Sequence, residues 1–155
     1  MTDIRITRDY QHPPAKVWRA LTDPALIALW AMRPDGFSPV VGTRCRFVGK
    51  PQPGWRGFVE CEVLEVRAPE TLLYSWVGNE GAETSYVRYT LEPRAGGTRL
   101  IFEHTGFTGV SGFLLAKFVM TPGWKKTFAG LFPRVLAELD ERGELNSTST
   151  LTSLY

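Results

Sequence analysis

Apolar side chains recur at every second position in five successive runs of the central chain. In 44–48, Cys45 and Phe47 fall on one face and Arg44 and Arg46 on the other. In 58–67, Val59, Cys61 and Val63 oppose Glu60 and Glu62, and the alternation blurs at 64–66, as a bulge would make it. In 71–77, Leu72, Tyr74 and Trp76 align, and in 85–92 so do Val87, Tyr89 and Leu91. The last run, 98–107, sets Leu100, Phe102 and His104 on one side. A period of two marks strands with one buried face. The connections are short and rich in Gly, Pro and polar residues, so antiparallel hairpins are expected. An earlier run, Ile4 to Tyr10, reads as a first strand.

The period changes at two places. Between Pro14 and Pro24, Val17 and Leu21 lie four apart beside Trp18, the spacing of one helical face. Pro14 suits a first helical turn, and Pro24 ends that helix at Asp23. Thr22 or Asp23 can then cap a second short helix. The segment 33–42 reads as a loop with a short strand, and 49–57 as a turn region carrying Trp55. Further on, 110–119 reads as a short helix. Thr121-Pro122 then reads as an N-cap and first-turn proline of a long C-terminal helix, with Trp124, Phe128, Leu131, Phe132, Val135 and Leu139 in one stripe. Pro133 predicts a kink near 130–133. From Asn146 the chain loses helical pattern, which divides it into a domain, 1–143, and a polar tail, 144–155. The fold class is therefore α+β, with six to seven antiparallel strands whose apolar face only the long helix is large enough to cover.

Composition adds exclusions. A net charge of +2 gives no ground for a nucleic-acid or membrane-surface partner. No apolar run approaches membrane-spanning length. Cys45 and Cys61 lack metal-ligand spacing and sit in apolar runs, which fits free thiols in a reducing compartment and a cytoplasmic location.

Four motifs in order resemble a known family. Residues 14–24 (Pro-Ala-Lys-Val-Trp-Arg-Ala-Leu-Thr-Asp-Pro) resemble the opening of the START-like, or SRPBCC, superfamily. Within it they resemble the branch named after the activator of heat-shock-protein-ninety ATPase. Residues 67–76, from Arg67-Ala68-Pro69 to Trp76, resemble its strand pair. Residues 96–107, ending His104-Thr105-Gly106-Phe107, resemble its hairpin, and Gly123-Trp124 its last helix. The resemblance spans about residues 3–142. It implies the helix-grip fold of the birch pollen allergen, in which a curved sheet wraps a long C-terminal helix around a cavity for apolar molecules. Two departures stand out. Val41-Gly42 replaces a common glycine pair, and 109–121 is longer and more apolar, as a lid would be.

Candidate chemistry is sparse. Ser111 is outside any nucleophile-elbow pattern, and His12 before Pro13 reads as a loop residue. No cofactor motif and no cluster of metal ligands is visible. His104 points inward, either as a core histidine bonded to a carbonyl or hydroxyl, or as a polar anchor or acid/base at a cavity mouth. Tyr74 and Tyr89 have apolar bodies and hydroxyls able to orient a ligand. Arg33 could reach an acidic ligand group, though exposed solvation is the simpler reading. The candidate cavity residues are Trp30, Phe47, Cys61, Trp76, Tyr89, Phe102, His104, Trp124 and Phe128. They suggest a non-enzymatic binder of a small apolar or aromatic molecule. The alternatives are a cyclase- or hydrolase-type enzyme using His104, or a chaperone ATPase-stimulating partner. The apolar stretch 113–120 also suits a homodimer.

Overall fold

A computed structural model describes residues 2–146 and 149–152. Seven strands form one antiparallel sheet in the order β1-β7-β6-β5-β4-β3-β2. They are β1 (Thr2–Tyr10), β2 (Arg33–Asp35), β3 (Arg44–Val48), β4 (Phe58–Arg67), β5 (Thr71–Trp76), β6 (Ser85–Arg94) and β7 (Gly97–Phe107). From β2 to β7 each strand pairs with the next in sequence, and β1 closes against β7. The inward row of every run is buried where the alternation put it, from Cys45 and Phe47 to Leu100, Phe102 and His104. The blurred stretch of β4 is a bulge, where the register to β5 shifts between Val63 and Glu65.

Two short helices, α1 (Pro14–Thr22) and α2 (Pro24–Trp30), follow β1. Each begins with a proline, and Asp23 caps α2 by accepting from the Ala25 N–H at 3.0 Å. Val17, Ala20, Leu21, Ile27 and Trp30 seal one end of the core.

The C-terminal half of the chain departs from its sequence pattern. Thr121 is not an N-cap: helical segments Gly109–Leu115, Ala116–Met120, Thr121–Lys126, Thr127–Leu131 and Phe132–Ala137 run on without a break as one helix, α3 (109–137). Pro122 and Pro133 are carried inside it. A proline in a helix interior removes an N–H and its ring presses on the preceding turn. Ala116–Met120 and Thr127–Leu131, each just upstream of a proline, widen into π-helical turns instead. Thr121 and Phe132 accordingly donate their N–H five residues back, to the carbonyls of Ala116 and Thr127.

This widening leaves the Phe128 carbonyl without its usual donors, because Phe132 bonds to Thr127 and Pro133 has no N–H. The Tyr10 hydroxyl on β1 supplies the missing donor, at 2.6 Å. The kink expected near 130–133 is thus a wide turn, anchored by a contact from the far end of the chain.

Phe128, Phe132, Val135, Leu136 and Leu139 are buried against the sheet and the two short helices. The first half of α3 is different. None of Gly109–Leu115 is buried, and Val110, Phe113, Leu114, Leu115, Phe118 and Val119 stand in solvent. In the segment after α3, Leu139 bridges to Leu145, and Leu151 packs on the core. Residues 147–148 and 153–155 of the expected tail lie outside the described residues. Among the described residues no helix is long and apolar enough to cross a membrane.

Candidate functional site

The strands deliver their inward rows to one place beneath α3, and the helix answers with Trp124 and Phe128. The aromatic rings form a continuous assembly: Phe102 to Trp124 at 4.5 Å between centroids, Trp124 stacked on Phe128 at 5.9 Å, and Trp76 edge-on to Trp124 at 5.6 Å. Such pairs each contribute about 0.5–1.5 kcal/mol beyond the area they bury. The rings do not fill the space completely. A cavity of about 20 Å³ remains between α1, α2, the middle strands and α3. It is lined by Leu21, Ile27, Trp30, Ala31, Met32, Phe47, Tyr74, Trp76, Tyr89 and Trp124.

Five of the nine residues named from sequence therefore line the cavity: Trp30, Phe47, Trp76, Tyr89 and Trp124. Phe102 and Phe128 form the layer behind it, packing on Tyr89 and Trp124. Cys61 faces Cys45 across the β3–β4 pair, and both thiols are free and buried. Burial holds the Cys61 thiol protonated well above the usual range. Met32 and Ala31, in the link from α2 to β2, complete the lining. Nothing in their spacing marks them, because they belong to neither periodic pattern. Arg33, His12 and Ser111 take no part in it.

His104 lies beside the cavity, fully buried. Its Nε2 is 2.7 Å from the Ser85 hydroxyl, and its Nδ1 accepts from the Trp124 indole N–H at 3.2 Å. An indole can only donate, so Nδ1 carries no proton and the neutral ring must bear its hydrogen on Nε2. Nε2 then donates to Ser85, whose own hydroxyl turns to the Trp76 carbonyl at 3.4 Å. Burial pushes the imidazole pKa down to about 3, so the ring stays neutral. This arrangement is the reverse of a serine–histidine nucleophile pair, in which Nε2 must be free to take the serine proton. Gly106 makes it possible sterically. Its φ is +97°, and a Cβ there would stand 3.2 Å from the Ser85 Cα.

Tyr74 and Tyr89 face the cavity from neighbouring strands, their hydroxyls 3.0 Å apart. Burial raises both phenols above their ordinary range. The indole of Trp30 is held by the Ala20 carbonyl at 2.9 Å. At the β3–β4 and β5–β6 turns, Trp55 donates to the Gly78 carbonyl and Arg56 to Asn79, which ties the two loops together. Among the described residues no three His, Cys, Asp or Glu side chains are grouped as metal ligands would be. The lining contains no ionisable group other than the two tyrosines.

No curated protein matches the chain. The structure of protein MLL2253 from Mesorhizobium loti is similar, with 34% identity and a TM-score of 0.79 over 90% of this chain and 99% of that one. DynU16, a protein of the dynemicin biosynthetic locus, shares 27% identity with a TM-score of 0.69, over 87% of this chain and 47% of its own. The Aha1 dimer from Colwellia psychrerythraea shows the same fold at 21% identity and a TM-score of 0.66, over 84% and 93% of the two chains. The model of the family described as activator of Hsp90 ATPase homolog 1-like protein matches residues 11–134. With its seven-stranded sheet gripping α3, the chain belongs to that family.

Proposed function

We propose that this protein binds a compact, uncharged apolar or aromatic molecule between the sheet and α3. The observation that carries this reading is the cavity wall, where six aromatic rings converge without an ionised group. At about 20 Å³ the space has room for one water, so an occupant must displace part of the wall. Two parts of the wall are able to yield. Met32 is an unbranched, adaptable side chain. Trp124 sits between two wide turns, on a helix whose first seven residues bury nothing. The place of DynU16 in a biosynthetic locus supports a role beside small molecules. The hydrogen bonds of His104 speak against the cyclase or hydrolase alternative, because neither ring nitrogen is available to exchange a proton with a substrate. Buried free thiols fit a cytoplasmic setting.

Native mass spectrometry of freshly purified protein tests the binding reading, together with an NMR titration of the indole resonances with small aromatic probes. A co-purified molecule or saturable shifts of the Trp76 and Trp124 indoles are expected. A bare protein mass with unmoved indoles at millimolar probe would overturn it.

A second reading concerns the exposed apolar side of the first half of α3. Phe113, Leu114, Phe118 and Val119 suit cover by a second copy, and the Colwellia relative is a dimer. Sedimentation velocity should show a dimer that Phe118→Asp converts to monomer. A wild-type monomer at 100-fold dilution series end points alike would remove this reading. A chaperone partner rests on the family description alone.

A further inference from the structure

We propose that the paired hydroxyls of Tyr74 and Tyr89 are an acceptor-oxygen site, so that the molecule held in the cavity is a neutral carbonyl or ether compound bound oxygen-inward. This inference rests on the cavity being the binding site.

Donor accounting carries it. Each phenol has one O–H to give. The two hydroxyls lie 3.0 Å apart, and among the described residues neither has another hydrogen-bond partner. A single bond between them uses one proton, whichever ring donates. The second proton has nothing to meet. The side chains are only 5% and 1% exposed, so water outside the protein does not reach it. A buried donor left unmade is costly, and native structures rarely tolerate one without a partner in reach. Both residues line the cavity, where an acceptor from outside the chain can come within reach of the pair.

The rest of the lining narrows its chemistry. Trp30 and Trp124 already spend their N–H groups on the Ala20 carbonyl and on His104. No cation faces the space, so a carboxylate or phosphate would enter as an unpaired buried charge. An amine would add a further donor where donors are already in excess. A ketone, aldehyde, ester, quinone or ether answers the deficit, with its carbon body against Phe47, Trp76 and Trp124.

A single water is the simplest competitor, since the cavity has room for one. A matched pair of probes separates the two cases. Indane and 1-indanone have the same ring frame and differ by one carbonyl oxygen. Titrating each into ¹⁵N-labelled protein and following the indole resonances should give 1-indanone about tenfold tighter than indane, the worth of one hydrogen bond between neutral partners. In the Tyr74→Phe/Tyr89→Phe double variant the ratio should fall to about one. The single variant Tyr89→Phe keeps one O–H with no partner, so its preference for the ketone should persist. If wild type binds both probes equally, a water or nothing answers the spare proton and this inference fails while the cavity reading stands. If neither probe binds, the cavity reading fails and takes this one with it. Should the double variant not fold, judged by near-UV circular dichroism, the wild-type ratio and the single variant still decide.

Discussion

Acidification should weaken this protein through His104, and by an amount the structure sets. The imidazole is fully buried and held neutral, its pKa down at about 3. In the unfolded chain it returns to about 6.5. Between those values the unfolded state binds a proton that the folded state refuses, so unfolding is favoured as pH falls. The contribution is nil above pH 7, grows from about pH 6.5 downward, and levels off near pH 3. At pH 5 it is about 2 kcal/mol, and that figure is fixed by the unfolded-state value because the folded-state one lies far below. Urea unfolding followed by tryptophan fluorescence at pH 7 and pH 5 reads it directly. His104→Gln keeps an acceptor for Trp124 and a donor for Ser85 but cannot titrate. Wild type should lose about 2 kcal/mol more than the variant between the two pH values, or roughly 1 M in urea midpoint. Equal losses in the two proteins would refute the reasoning. So would a native-state imidazole that titrates near 6.5 by NMR.

Other perturbations have equally definite outcomes. Tyr10→Phe removes the only donor that the Phe128 carbonyl has among the described residues and should cost about 1–3 kcal/mol, with faster amide exchange along 127–132. Phe128→Ala empties the middle of the aromatic assembly and should cost about 3–5 kcal/mol in denaturant unfolding. Asp23→Ala strips the cap from α2 and should cost about 1 kcal/mol, seen as a drop of a few degrees in Tm. Arg99→Ala, which breaks the solvent-exposed pair with Asp9, should leave the urea midpoint essentially unchanged, because water and salt screen the pair.

The strands were legible because each has one wet face and one dry face, so the alternation around Phe47, Tyr74 and Phe102 maps directly onto burial. The helix pair was legible because Pro14 and Pro24 leave few local choices. Continuity of α3 was not. Thr121-Pro122 has the chemistry of a helix start, and what overrides it is a wide turn that no periodicity announces. The anchor for the second wide turn is Tyr10, 118 positions away. Aromatic candidates for the site followed from their faces. Which of them touch the cavity depends on how α2 leads into β2 and brings in Met32, a matter of chain path that residue type does not encode.

The two wide turns also set the phase of α3. Each accommodates one residue more than a regular turn, so every side chain beyond it is rotated by about 100° from where an unbroken helix would point it. Trp124 lies after the first wide turn and Phe132 after the second. A one-residue deletion within 116–120 combined with Pro122→Ala would let the helix wind regularly and rotate Gly109–Leu115, which buries nothing, against the packed half that carries Trp124 and Phe128. Length, and not only composition, is therefore under constraint in this segment, and homologues that lack Pro122 should also lack one residue upstream of it.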